Sequence, residues 1–255
     1  LHHVRADQCK TNRAYHKWFE AWMAQKRAVD AEAVYYDYLP IGFQWCNFIL
    51  SPQWHIVGKN YPYFHEQGLD GHTSQGFDDW GAMGLTGWVA QRLYWDVDQD
   101  YNDLVREYCE LRFGKKAAKA MHDYYKVYEK RMLEVPDLCS NEIWGNHLAI
   151  DAKTRKAGRK ALAKAESRIE GERHEEHYQA VRQFQKAMDA WCGGIEHARE
   201  TGSFAEAAAM MAPAFDIAHK LNERHYSHYV QPNRIDKSTQ DRKSTRLNSS
   251  HYRTS

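Results

Sequence analysis

Charge of one sign is what this sequence most conspicuously lacks: 35 Lys and Arg stand against 34 Asp and Glu, a formal net charge of +1 over 255 residues. No long-range field exists to gather phosphate backbones or anionic lipid, so nucleic acid is not an expected partner. Long hydrophobic runs are missing too, and none approaches the roughly 20 apolar residues that span a bilayer. The five cysteines (Cys9, Cys46, Cys109, Cys139, Cys192) form no CxxC pair and are odd in number, which argues against a zinc knuckle and against a closed disulfide framework. There is no GxSxG, and no strand feeds directly into GxGxxG or GxxxxGK[ST], so neither a nucleophile elbow nor a phosphate cradle is indicated.

Aromatic residues are plentiful: 9 Trp, 16 Tyr and 9 Phe, within 43% hydrophobic residues, enough for a sizeable core. Their distribution divides the chain. Residues 1–95 hold seven of the nine Trp, and their short apolar stretches are broken by turn residues. Trp18, Phe19, Trp22 and Met23 recur at helical spacing, and the β-branched and aromatic run Ala33 to Tyr38 is closed by Pro40 and Gly42. Trp54 to Gln67 predicts a second helix stopped by Gly68, with a short strand over 69–73. Helix alternating with strand is an α/β pattern.

Beyond Trp80 the stripes are helical. Leu85, Trp88, Val89 and Leu93 form one; Tyr101, Leu104, Val105, Tyr108 and Cys109 a second, ended by Gly114; Ala117, Ala118, Met121, Tyr124, Tyr125 and Tyr128 a third. After an irregular stretch come amphipathic segments near 153–170, 174–192 and 204–229, the last opening with a capping-box spacing at Ser203 and Glu206. The predicted fold class is α/β followed by all-α. The expected divisions are 1–95, 96–150 (helices packing on the first part), 151–230 (a helical C-terminal domain) and 231–255 (without structure).

Three metal- or phosphate-like patterns resolve into plainer ones. Asp96, Asp98, Asp100 and Glu107 imitate calcium-loop spacing, but the sixth position is Tyr101 where the sharp turn needs Gly, so these acids are read as a helix start. Gly81, Gly84 and Gly87 are read as close helix packing, and His174 to His177 is HEEH rather than a zinc-protease HExxH, on a solvated helix. No metal and no cofactor is implied. Asp37 is different: it stands among Tyr35, Tyr36 and Tyr38 at the end of the best strand, with Trp45 and Trp54 following. A carboxylate at a strand C-terminus sits where barrel enzymes place catalytic groups, and flat aromatic rings suit sugars.

The ordered run Cys9, Asn12, Trp22, YYDYLP at 35–40, SPQW at 51–54, Gly68-x-Asp70-Gly71, RLYWD at 92–96, Tyr108-Cys109 and Phe113-Gly114-x-x-Ala117-Ala118 resembles domain of unknown function 4838. That family is similar to the family 67 α-glucuronidases: a (β/α)8 barrel with a helical C-terminal region, in exported proteins of polysaccharide-degrading bacteria. The resemblance implies that the chain is a fragment, the last two strand-helix units of a barrel plus a helical domain. Asp37 falls on the catalytic Glu of those enzymes, and their general acid lies upstream. The resemblance also places His72, Gln75 and Asp78 near the substrate side, and Tyr36, Tyr38, Trp45 and Trp54 around Asp37 are the rings expected to stack on sugar. The implied activity is hydrolysis of a glycosidic bond in an acidic polysaccharide, outside the cytoplasm. A noncatalytic carbohydrate-binding protein and a helical scaffold for protein partners are the alternatives.

The chain opens Leu1-His2-His3-Val4 with no Met and no leader pattern, and the expected extracellular or periplasmic location rests on the family resemblance alone. At the other end, DRKSTRLNSSH at 241–251 resembles one reading frame of a common sequencing-library adapter, and 241–255 is read as an artefact. With hardly an apolar residue it cannot repay the entropy of ordering. Deleting 241–255 is therefore expected to leave the melting temperature unchanged in a calorimetric scan; a measurable loss would show that the segment docks.

Overall fold

The structure is a computed structural model and describes residues 10–37, 48–74, 80–134 and 150–224. Among these, eight helices and two strands follow one another: α1 (Lys10–Val29), β1 (Val34–Asp37), α2 (Trp54–Glu66), β2 (Gly71–Ser74), α3 (Trp80–Trp95), α4 (Tyr101–Phe113), α5 (Lys115–Glu134), α6 (Ala152–Glu166), α7 (Glu172–Thr201) and α8 (Phe204–Arg224). The two strands pair in parallel as a two-stranded sheet. The α/β pattern of the first 95 residues and the helices beyond Trp80 are thus both present. The described residues form one β-α-β unit flanked by helices, and no closed barrel is among them. No helix of theirs is long and apolar enough to cross a membrane. The expected irregular stretch and the C-terminal tail lie outside the described residues.

Local chemistry sets the boundaries. Gly68, at φ +81°, adopts the left-handed conformation that lets the chain leave α2 and turn into β2. Asp100 caps α4 by accepting the N–H groups of Asn102 (2.7 Å) and Asp103 (3.2 Å), as a helix-start acid should. Asp151 caps α6 through the Thr154 N–H (2.7 Å).

The core is continuous from Phe48 to Leu221. Its centre is α5, whose Ala117, Met121, Tyr124 and Tyr128 are fully buried along the predicted stripe. Of the three spaced glycines of α3, Gly84 stands at a close approach, since a Cβ there would come within 3.2 Å of the Tyr108 hydroxyl on α4. One buried cation joins α6 to α7: the Arg155 fork donates to both carboxylate oxygens of Glu196 (2.8 and 2.6 Å) and to the Ile150 carbonyl (2.8 Å).

The helix expected at Trp18, Phe19, Trp22 and Met23 is present as α1; Trp18 and Trp22 are 59% and 73% exposed, because among the described residues only the Phe19–Met23 side of α1 meets other elements. Two local expectations need correction. His174 is half-buried and donates from Nδ1 to the Arg112 carbonyl (3.0 Å), satisfying the frayed end of α4 instead of standing in solvent. Glu206 does not close a capping box onto the Ser203 N–H. That N–H goes to Thr201 Oγ1 (3.1 Å), while Glu206 is drawn to His197 (2.6 Å), a charge-assisted partner.

Helices α7 and α8 touch at Gly194, where a Cβ would lie 2.8 Å from the Ala207 carbonyl oxygen and would strike the Met211 side chain. Backbone cannot yield as a flexible side chain can. Gly194→Ala should therefore cost about 1–3 kcal/mol by overpacking, despite the better helix propensity of Ala, and lower the melting temperature by several degrees. An unchanged or raised melting temperature would mean that α8 can shift outward at no cost.

Candidate active site

The parallel register pairs Val34 with Gly71, Tyr35 with His72, Tyr36 with Thr73 and Asp37 with Ser74. Both strands consequently end together, and Asp37 and Ser74 are the last residues at one edge of the sheet. This is the edge where β/α proteins gather ligand-binding groups from different loops. Tyr38 and Trp45 follow Asp37 in sequence, Gln75 and Asp78 follow Ser74, and all four lie outside the described residues.

Alternation along the strands gives the sheet two unlike faces. Tyr35 and His72 turn toward the helices, their rings stacked at 5.3 Å and 20°. Phe64 of α2 lies 4.7 Å from Tyr35, and Tyr61 and Tyr94 lie 4.6 and 4.9 Å from His72, centroid to centroid. On the opposite face Val34 and Tyr36 are 62% and 53% exposed. Of the residues expected at a substrate side, Tyr36 is at the surface beside Asp37, whereas His72 is packed among rings on the helix side.

Trp54 is placed differently from expectation. It opens α2 with 1% of its surface exposed, and its indole N–H donates to Glu129 Oε2 at 2.7 Å. It also meets Tyr125 edge-on at 5.6 Å. The buried Glu129 accepts from Lys126 Nζ (2.9 Å) and from the Tyr101 hydroxyl (3.2 Å) as well. Burial, with the Glu129 charge beside it, pushes the Tyr101 phenol well above its ordinary value. Trp54 is thus a joint between the strand-helix unit and α4–α5, and its ring offers no open face for a sugar. The signal for this joint was present in the sequence: Glu129 falls four residues after Tyr125 on the buried face of α5, and a carboxylate at such a position requires donors.

At the other end of the sheet Asp70 fixes the register. Its N–H donates to the Ala33 carbonyl (3.0 Å), its Oδ2 accepts the Ala33 N–H (2.7 Å), and Lys26 stands 3.0 Å away. Among the described residues no group of three or more His, Cys, Asp or Glu could hold a metal ion.

The Ala33 N–H, aided by the Lys26 ammonium, holds the Asp70 carboxyl below its ordinary value. A depressed folded-state value means stability that is present at neutral pH and lost as pH falls through it. Asp70→Asn should accordingly melt below the parent at pH 7, and the gap should close as pH falls below the usual carboxylate range, because a protonated Asp70 resembles Asn. Melting curves of both proteins from pH 7 to pH 2 check this; a gap independent of pH would remove the carboxylate charge from the account.

No curated protein and no solved structure matches the chain. A family model matches residues 3–126, a span that includes both strands, the Asp70 clamp and the helices as far as most of α5. Within that span Gly68 and Asp70 set the turn and the register, and Trp54 forms the joint. The family whose model matches that span is described as Domain of unknown function (DUF4838).

Proposed function

We propose that this chain is part of a carbohydrate-active protein, a glycoside hydrolase acting on an acidic polysaccharide, in which β1-α2 and β2-α3 are the last strand-helix units of a (β/α)8 barrel. The observation that carries the reading is the parallel register, which brings Asp37 and Ser74 to one edge with the exposed Tyr36 beside them. Two further features support it. Parallel sheets are ordinarily covered on both faces, and among the described residues only the helix side is covered, with Val34 and Tyr36 exposed. Between α1 and β1 runs a groove of about 610 Å³ lined by Tyr15, Trp18, Trp22, Val29 and Val34, the flank where a neighbouring strand-helix unit would pack. The likeness of residues 36–54 to the α-glucuronidase segment supplies the reaction class.

In this reading Asp37 acts as the general base of an inverting hydrolysis. It takes a proton from a water, which attacks the anomeric carbon from the face opposite the leaving group. A protonated carboxyl from another barrel strand gives its proton to the departing oxygen, and the two carboxyls stand roughly 6.5–9.5 Å apart to admit the water. Tyr36 supplies a flat surface beside the reacting sugar. Export to the periplasm or the cell exterior follows from the polymeric substrate. The exposed Tyr36 would equally serve a noncatalytic carbohydrate binder, which the same test separates.

In the protein with its barrel complete, Asp37→Asn should keep the fold, being nearly isosteric, yet lower kcat by about 10²–10⁴-fold while substrate affinity changes little. Turnover and melting temperature are measured on one preparation. Near-wild-type turnover would remove Asp37 from the reaction, and saccharide binding with no turnover in the parent itself would leave the noncatalytic binder.

A further inference from the structure

Trp95, the last residue of α3, is 92% exposed, and Tyr94 beside it is 46% exposed. A single exposed apolar side chain is ordinary on a protein surface. These two, however, rim a pocket of about 250 Å³ whose wall is built from Tyr61, His65, Asp70 and His72. The floor is rigid: Tyr61 and Tyr94 are stacked at 5.0 Å and 19° with their hydroxyls 3.0 Å apart, and His72 packs against both rings. Asp70 is held in place by Ala33 and Lys26, and both of those bonds run to Oδ2. The Asp70 side chain, 39% exposed, lines the pocket with a group that only accepts hydrogen bonds.

We infer that this pocket is an accessory glycan-binding site, in which a neutral pyranose unit lays its apolar face on Trp95 and Tyr94 while its hydroxyls bond to Asp70 and His65. An aromatic rim with a carboxylate acceptor suits a ring that has one C–H face and a belt of hydroxyl donors. The Asp70 carboxylate, already paired with Lys26, sets the choice of sugar by hydrogen bonding. It only accepts, so a hydroxyl donor fits it, whereas a uronate carboxylate has no proton to give, and the site selects a neutral unit. The volume lies just under the roughly 300–1,000 Å³ of pockets that enclose drug-sized ligands, room for a sugar ring and little more. The pocket is lined by Asp70 and by Gly71, the start of β2, roughly 10 Å along the strand from Ser74. It therefore lies at the end of the sheet away from Asp37. The inference shares its ligand class with the proposed function but none of its catalytic residues, and holds whether or not Asp37 is catalytic.

The test titrates the full chain with neutral xylo-, gluco- and manno-oligosaccharides, and with oligogalacturonate as the charged control. The readout is the indole N–H resonance of Trp95, identified by its absence in Trp95→Phe. At least one neutral series should shift that resonance saturably, with affinity falling about tenfold or more in Trp95→Ala. Trp95→Ala should melt with the parent, since the side chain is almost wholly in solvent. Four results would each overturn the inference: no neutral oligosaccharide moving the Trp95 signal, equal binding by Trp95→Ala, tighter binding of oligogalacturonate than of any neutral series, or a shift that depends on protein concentration alone and so reports self-association. Binding that leaves the Trp95 signal unmoved and is lost in Tyr36→Ala would assign the sugar to the strand C-terminal edge and overturn the accessory site, while leaving the proposed function standing.

Discussion

Parallel pairing of two four-residue strands is the constraint on which the rest of this structure depends. Parallel neighbours cannot be joined by a tight turn, so a crossover must intervene, and α2 supplies it. The same pairing makes both strands end at one edge, so that Asp37 and Ser74 are brought level although 37 positions apart. Four residue pairs are few for such a sheet. Its register is secured at the entrance by the reciprocal bonds of Asp70 and Ala33, and along its length by the rings packed between Tyr35, Phe64 and His72.

A second tier of interactions couples this small sheet to the helical mass. Glu129 is buried on α5, and its charge is met by the Trp54 indole, the Tyr101 hydroxyl and Lys126. Removing any one donor would leave a carboxylate under-satisfied in the interior, which is why such a cluster specifies one arrangement of α2 against α4 and α5. Farther along the chain, Arg155 holds α6 to α7 by the same logic.

Much of this was legible in the sequence, for reasons that can be named. Helical stripes such as Ala117, Met121, Tyr124 and Tyr128 advertise a buried face by period alone, and Gly68 and Gly114 mark turns that need positive φ. The strand at 34–37 followed from its β-branched and aromatic run. Less legible was the side to which each aromatic turns. Trp54 and His72 carry the same ring chemistry as Tyr36, yet two lie among other side chains and one at the surface. The difference depends on partners dozens of residues away, Glu129 for Trp54 and Tyr94 for His72. Trp18 and Trp22 are the converse case, a helical stripe whose outer part meets nothing among the described residues that covers it.

The bare sheet face and the groove beside α1 give the central claim, that these units belong to a larger parallel barrel, a direct physical test. Amide exchange along β1 is measured on the chain alone and again in a protein carrying the preceding barrel strands. Amides of β1 that do not bond to β2 should exchange quickly in the chain alone and become strongly protected once a parallel neighbour is added, with Tyr36 losing solvent exposure at the same time. Equal exchange in both samples would mean that β1 is a true edge strand, and that the sheet is a two-stranded feature of a helical protein and no part of a barrel.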